Sequence, residues 1–148
     1  MRIVLDVNIL LDVFLAREPF SVAAENLWRS IQSRRVEACL VATTVTTIFY
    51  LVRKQVGLDE ARRTVEILLR RCDILAVDRA TLSLATAKPM YDFEDAVQDA
   101  AAELAGIPIL ITRNADDFRG STRRIMDAKQ LLAELESDEH STNNDQEE

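Results

Sequence analysis

Short apolar segments alternate with segments of helical spacing along this 148-residue chain, and this alternation is the feature that most limits its fold. The apolar segments lie at residues 2–6, 36–42, 73–77, 107–112 and 123–127. Helical patterns occupy residues 8–16, 20–33, 43–56, 58–71, 79–88, 92–105 and 127–136. Strands joined by helices form parallel sheets covered on both faces. The sequence therefore predicts a three-layer α/β/α fold with a central parallel sheet of four to five strands.

The net charge of −7 is concentrated at the carboxyl end of the chain. Residues 137–148 hold five acids, no Lys or Arg, and almost no apolar side chain. Segments of this composition cannot bury enough apolar surface to fold alone. We therefore expect one domain over residues 1–136, followed by an acidic disordered tail over residues 137–148.

Several classes of chemistry are excluded by composition. The only histidine, His140, lies in the tail, so the folded domain has none for a Ser-His-Asp or Cys-His mechanism. Cys39 and Cys72 are far apart in sequence and predict two reduced core thiols in a cytoplasmic protein. The three glycines stand alone, so no glycine-rich phosphate-binding loop exists. We expect no membrane span and no signal peptide, which leaves an abundance of carboxylates to explain.

Some of these carboxylates are predicted to lie near the carboxyl ends of strands, where open parallel sheets bind ligands. Asp6 ends the first strand, and Asp117 follows the fourth. Asp95 and Asp99 lie on the preceding helix at a spacing of four residues, which favours one shared face. Mg²⁺ prefers oxygen ligands and usually takes one or two protein carboxylates. The set therefore predicts a site for Mg²⁺, for which Mn²⁺ can substitute.

Simpler structural roles also fit several of these acids. Asp92 and Glu94 fit the acids that favour a helix N-terminus, and Asp12 fits the partner of an arginine. Asp6 needs a buried hydrogen-bond donor, such as Thr112 or a backbone amide, if no cation binds it.

Three segments, LDVNILLD, TTVTTIFYLVRK and DFEDAVQDAAAELAGIPILITRNADDF, together resemble a PIN domain, close to the VapC-type toxins of bacterial toxin–antitoxin pairs. The resemblance runs from residue 1 to about residue 134. It implies a metal-dependent ribonuclease with a parallel sheet and an acidic pocket. By this resemblance Asp6 and Asp95 bind the metal and Asn8 supports the loop. The resemblance also matches the family's T-x-D-x-x-F region to Thr112, Asn114 and Asp117.

Two positions depart from the family pattern. Thr47 stands about where PIN domains usually carry a Glu, and Asn114 stands where they usually carry an Asp. A related branch of PIN-like proteins carries neutral residues at these positions. Because fewer carboxylates weaken cation binding, we expect one firmly held Mg²⁺, with Asp99 or Asp117 as the compensating acid.

The leading hypothesis is an endoribonuclease that hydrolyses RNA phosphodiester bonds as the toxin of a toxin–antitoxin pair. A metal on Asp6 and Asp95 would activate water, which Asp117 or Asp99 would orient or deprotonate. A small antitoxin would block the pocket, and a homodimer is expected. Contacts to RNA phosphates are expected from Arg53, Lys54, Arg113 and Arg119.

Two alternatives stay open at the level of sequence. Thr47 and Asn114 also fit a non-catalytic PIN-like domain that binds RNA or a partner protein. The D-V-N that begins at Asp6 also resembles haloacid-dehalogenase-type phosphatases, which use an aspartate nucleophile. One observation argues against a phosphatase, because Asn8 stands where such enzymes carry their second Asp. Detection of a covalent aspartyl-phosphate would distinguish a phosphatase from a nuclease.

Overall fold

A single parallel sheet forms the centre of the molecule. The computed structural model describes residues 1–144, and only the backbone of residues 143 and 144. The strands are β1 (Arg2–Leu5), β2 (Glu37–Val41), β3 (Asp73–Leu75), β4 (Ile109–Ile111) and β5 (Arg124–Met126). They pair in the order β3-β2-β1-β4-β5, and all four pairings are parallel. The predicted sheet of four to five parallel strands is confirmed.

Helices connect the strands in the predicted alternation. They are α1 (Val7–Phe14), α2 (Ser21–Gln32), α3 (Ala42–Val56), α4 (Leu58–Arg71), α5 (Arg79–Thr86), α6 (Phe93–Leu104) and α7 (Ala128–Asn144), and a 3₁₀ turn spans Ala115–Phe118. Each helix begins within one residue of its predicted start. Among the described residues, no helix is both long and apolar enough to cross a membrane.

The two faces of the sheet bury separate apolar layers. Alternate strand residues point to opposite faces, so Leu5 packs into one layer and Val4 into the other. Helices α1, α2, α3, α4 and α7 cover the Leu5 face. Helices α5 and α6 cover the Val4 face, where α6 contributes mostly alanines. Cys39 and Cys72 are buried free thiols, as predicted, and they lie in different layers.

The last helix ends later than the sequence predicts. Helix α7 continues to Asn144 instead of ending near residue 136. Its added turns contact the body of the protein through an ion pair between Glu139 and Arg35, which follows α2. The polar composition of this segment therefore does not stop a helix that already packs on the domain. The expected disorder of residues 145–148 lies outside the described residues.

The register of the two central strands sets the position of the site. Leu5 at the end of β1 pairs with Ile111 at the end of β4. Asp6 and Thr112 are therefore neighbours at the carboxyl edge of the sheet, and the Asp6 amide donates to the Ile111 carbonyl at 2.9 Å. This is the edge at which open parallel sheets bind ligands.

Candidate active site

Asp6 is buried at the sheet edge and is held by three hydrogen-bond donors. The residue is only 5% exposed. Oδ1 accepts from the Val7 amide at 2.8 Å and from Gln98 Nε2 at 2.9 Å. Oδ2 accepts from the Thr112 hydroxyl at 2.8 Å. These donors offset the cost of burying the carboxylate and fix its orientation.

The Thr112 hydroxyl joins Asp6 to the loop after β4. It donates to Asp6 and accepts from the backbone amide of Asn114 at 3.1 Å. The supporting position predicted for Thr112 is therefore seen in the structure. Asn114 takes part through its backbone, and the residue is exposed at the surface.

An acidic cavity of about 230 Å³ opens beside Asp6. Its lining residues are Asp6, Val7, Asn8, Asp92, Glu94, Asp95, Gln98 and Asp117; we call this the acidic pocket. The structure thus brings together Asp6, Asn8, Asp95 and Asp117, which the sequence analysis grouped from distant segments. No Lys or Arg lines the pocket in the described part of the chain.

Crowding of carboxylates raises the proton affinity of the pocket. Burial, with a smaller contribution from repulsion by the neighbouring carboxylates, raises the pKa of Asp95 from its ordinary value of 3.8 to about 7. Those neighbours are Asp6, Asp92, Asp117 and Glu94. Burial also raises the pKa of Glu94, although a hydrogen bond from the Thr47 side chain opposes this shift. A bound cation would stabilise the charged forms of Asp95 and Glu94 and so lower the pKa of each.

Asp92 positions the first turn of α6. It is the N-cap residue, and its Oδ1 accepts from the Glu94 amide at 2.8 Å and the Asp95 amide at 3.3 Å. The capping role predicted for Asp92 is confirmed. The cap fixes the backbone from which Glu94 and Asp95 enter the pocket.

The donor set fits a hard cation, although it does not enclose one. Among the described residues, no group of three or more His, Cys, Asp or Glu side chains is arranged to hold a metal by itself. Mg²⁺ does not require such a group, because it keeps several waters and usually takes one or two carboxylates. Two pocket oxygens, Gln98 Oε1 and Glu94 Oε1, are buried without a hydrogen-bond donor. Asp6 and Asp95 are the carboxylates that could hold the cation there.

Asp99 lies outside the pocket, which corrects its predicted grouping with Asp95. It is fully buried, forms an ion pair with Lys88 at 2.9 Å and accepts a hydrogen bond from Ser121. Helix residues are rotated by about 100° each, so Gln98 lies about 60° from Asp95 on one side and Asp99 about 40° on the other. The pocket faces the Gln98 side.

Asp12 forms a second buried centre, which we call the arginine cluster (Asp12, Arg17, Arg113). Asp12 is fully buried, with Arg17 at 3.0 Å and Arg113 at 2.9 Å. Burial nevertheless raises its pKa against the pull of both guanidinium groups. Arg17 also donates to Asn8 Oδ1 at 3.1 Å. The cluster therefore holds Asn8, a pocket residue, in place.

The four predicted phosphate contacts do not form one surface. Arg113 is bound to Asp12 and stacks on the Phe20 ring at 3.9 Å, so its guanidinium group already has partners within the chain. Arg53 and Lys54 lie in the last turn of α3, about 17 Å along the helix axis from its start at the sheet edge. Arg119 follows the 3₁₀ turn that carries Asp117, and it is exposed. Of these four residues, Arg119 is the nearest in sequence to a pocket residue, two positions after Asp117.

Gln98 and Glu94 line the pocket, although the sequence analysis assigned neither to it. Gln98 is 1% exposed and lies among the apolar residues of α6. The sequence signal that could have identified Gln98 was its position, three residues after Asp95 on a face of the helix that is otherwise rich in alanine. For Glu94 the helix N-terminus was the simplest role, and its proximity to Thr47 depends on tertiary structure at the carboxyl edge of the sheet.

Comparisons with known proteins show the family and the fold of the chain. A family model described as a PIN domain matches residues 2–116, and no curated protein matches the chain in sequence. The fold is similar to VapBC2 from Rickettsia felis bound to a DNA fragment from its promoter, with 14% identity, TM-score 0.66, and coverage of 86% of this chain and 98% of that chain.

Two further solved structures are similar. One is a toxin–antitoxin complex from Klebsiella pneumoniae, with 22% identity, TM-score 0.65, and coverage of 84% of this chain and 96% of that chain. The other is Mycobacterium tuberculosis VapC20, described as a toxin that cleaves the sarcin–ricin loop. It has 17% identity and a TM-score of 0.62, and the match covers 73% of this chain and 86% of that chain. At these identities the likeness shows the fold.

Proposed function

The chain belongs to the PIN domain family, a family of nucleases, and we propose that it is a metal-dependent endoribonuclease that acts as the toxin of a toxin–antitoxin pair. One observation carries the proposal. Asp6 is held rigidly at the rim of a cavity that contains four further carboxylates and is lined by no described Lys or Arg. Such a cavity attracts a divalent cation rather than an RNA phosphate directly.

Asp6 and Asp95 would hold Mg²⁺, or Mn²⁺ in its place. When bound, the metal would supply a water of lowered pKa and would shield the charge of the phosphodiester. Asp6 contributes a fixed orientation through its contacts to Gln98 and Thr112. Asp117 is exposed at the edge of the pocket and is the acid left to accept a proton from the attacking water, since Asp99 is bound to Lys88.

The partners follow from charge and from the similar structures. An antitoxin that presents an Arg or Lys to the acidic pocket would neutralise it and exclude the metal. The Rickettsia felis and Klebsiella pneumoniae structures, which are toxin–antitoxin assemblies, support such a partner. The RNA substrate is supported by the description of Mycobacterium tuberculosis VapC20. A homodimer and a cytoplasmic location are part of the same proposal.

A non-catalytic PIN-like domain that binds RNA or protein is the second candidate. The observation that favours it is the complete hydrogen bonding of Asp6, which Val7, Gln98 and Thr112 satisfy without any cation. The neutral side chain of Thr47 beside Glu94 points the same way. The two candidates differ in whether a metal is needed.

Cleavage of structured and single-stranded RNA with Mg²⁺, Mn²⁺ or EDTA tests the proposal. Asp6→Asn and Asp95→Asn remove charge while preserving shape, and each should lower the metal-dependent rate by at least about 10²-fold. Asp116→Asn is the matched control, because Asp116 is an exposed acid outside the pocket. Cleavage that survives EDTA or both pocket variants would rule out the proposed mechanism.

A further inference from the structure

One face of the first turns of α6 supplies three side chains to the acidic pocket. Glu94, Asp95 and Gln98 all line it, and helix geometry places them within about 100° of one another. Asp95 was expected there from the sequence. Glu94 and Gln98 need a separate explanation, because neither is required to start or pack the helix once Asp92 caps it.

Gln98 presents an acceptor that nothing in the described chain satisfies. Its Nε2 donates to Asp6 Oδ1 at 2.9 Å, which turns the amide so that Oε1 is the remaining atom. The residue is 1% exposed, and Oε1 has no hydrogen-bond donor. Buried carbonyl oxygens are nearly always paired. The oxygen itself is closed to solvent, and it belongs to a residue that lines a cavity of carboxylates, so a cation or its bound water would supply the missing partner.

Glu94 has the same property and an additional partner. Its Oε1 is buried and lacks a donor, while the Thr47 side chain is near enough to lower the pKa of the carboxyl group. Thr47 lies on α3, at the position where the resemblance led us to expect an acid. A carboxylate from α6 therefore lies near Thr47.

We propose that Glu94 and Gln98 complete the cation site of the acidic pocket, with Glu94 supplying from α6 the carboxylate that Thr47 does not supply from α3. This inference rests on the proposed function, since it assumes that the pocket takes a divalent cation. The full oxygen set is then Asp6, Asp95, Glu94 and the Gln98 carbonyl. Its three carboxylates do not surround one point in the described structure, so some of these oxygens would reach the cation through its bound waters.

Binding of Mn²⁺ alone, measured by electron paramagnetic resonance and by calorimetry, tests the inference without RNA. Glu94→Gln should weaken Mn²⁺ binding at least about tenfold, and Gln98→Leu about 10- to 100-fold. Glu103→Gln is the matched control, because Glu103 lies on the same helix, carries the same charge and pairs with Lys88 outside the pocket. Its affinity should stay within about twofold of the wild type.

A transfer variant tests the specific claim about Thr47. In the Glu94→Gln background, Thr47→Glu places a carboxylate near the same position from α3. Mn²⁺ affinity should recover most of the lost factor of about ten. If Thr47→Glu does not restore binding, the claim that the two positions supply the same oxygen is overturned. The melting temperature of each variant without metal shows that it is folded.

The outcomes separate this inference from the function it rests on. A wild-type protein that binds no Mn²⁺ would overturn both. If the wild type binds Mn²⁺ and both Glu94→Gln and Gln98→Leu bind it equally tightly, this inference alone is overturned. If Gln98→Leu fails to fold, the Glu94→Gln and Glu103→Gln pair still decides.

Discussion

The arginine cluster and the acidic pocket both contain a buried aspartate near the carboxyl edge of the sheet, and they satisfy it in different ways. Asp12 is fully buried and has a guanidinium group on each carboxylate oxygen. Asp6 is almost as buried, but its three partners are neutral donors and its neighbours are other carboxylates. One centre is neutralised by the chain itself, and the other is not.

The difference shows how structural and functional carboxylates can be told apart in this chain. A buried charge that only supports the fold is paired, because an unpaired one costs several kcal/mol. The acidic pocket is lined by five carboxylates and by no described Lys or Arg, so its negative charge has no cationic partner within the described chain. Asn8 connects the two centres, since Arg17 holds it in the wall of the pocket.

The largest effect on stability should come from the arginine cluster. Asp12→Ala leaves Arg17 and Arg113 without their shared partner and should lower the free energy of unfolding by about 3 kcal/mol. Urea unfolding measures the loss. Asp95→Ala provides the comparison within the pocket and should not destabilise the metal-free protein at pH 8. Equal losses for the two variants would break the distinction between the centres.

A divalent cation should stabilise the acidic pocket and leave the arginine cluster unaffected. At a Mn²⁺ concentration about 100 times its Kd, the free energy of unfolding should rise by about 2.7 kcal/mol. Asp95→Asn should remove most of this gain, whereas the exposed Asp116→Asn should keep it. Thermal unfolding with Mn²⁺ or EDTA measures the difference. A gain that Asp95→Asn retains would mean that the cation binds elsewhere.

The pH dependence of stability should report the burial of Asp95 and the crowding of carboxylates around it. The pKa of Asp95 is raised from 3.8 to about 7, so between these values the folded protein binds more protons than the unfolded chain. Metal-free stability should therefore fall as pH rises from about 4 to about 7 and then level off.

Asp95→Asn should remove this loss. At pH 8 the variant should be more stable than the wild type by about 1 kcal/mol or more, because each unit of pKa shift corresponds to about 1.4 kcal/mol and Asp95 is partly exposed. At pH 4 the two should be equal. Urea unfolding in EDTA at both pH values measures this, and a variant less stable at pH 8 would contradict the repulsion we infer.

Sequence patterns were sufficient for the fold and for part of the site. The alternation of strands and helices predicted the order of elements, and the ends of β1 and β4 placed Asp6 and Thr112 correctly, because parallel register brings strand ends together. The positions of Asp6 and Thr112 depend on local patterns and one general rule of parallel sheets. Asp95 was selected from the acids of its helix by the resemblance to a PIN domain.

The remaining features depend on tertiary packing that periodicity does not specify. A spacing of four residues suggested Asp99 as the partner of Asp95, but a small rotation of α6 turns Gln98 to the pocket and Asp99 to Lys88. The Arg113 side chain was expected at RNA and instead is bound by Asp12. In both cases the sequence predicted the segment correctly but not which of its polar side chains faces the pocket and which pairs elsewhere in the protein.

The smallest effects, on RNA affinity, should come from exposed basic side chains. These residues extend the comparison of paired and unpaired charge to arginine and lysine. Arg119 is exposed beside the pocket, with Asp116 at 3.1 Å as its only recorded partner among the described residues. Arg119→Ala should weaken RNA binding and lower the salt dependence of log K by about one phosphate contact. Fluorescence anisotropy with a labelled RNA across a series of salt concentrations measures both quantities.

The double variant Arg53→Ala, Lys54→Ala removes two positive charges at the far end of α3, about 17 Å along its axis from the sheet edge. At physiological salt the Debye length is about 8 Å, so these charges act only weakly on RNA bound at the pocket. The salt slope should therefore stay unchanged, although twice as much charge is lost as in Arg119→Ala. A larger loss for the double variant would show that RNA follows α3 away from the pocket, and that position along the helix was the wrong criterion.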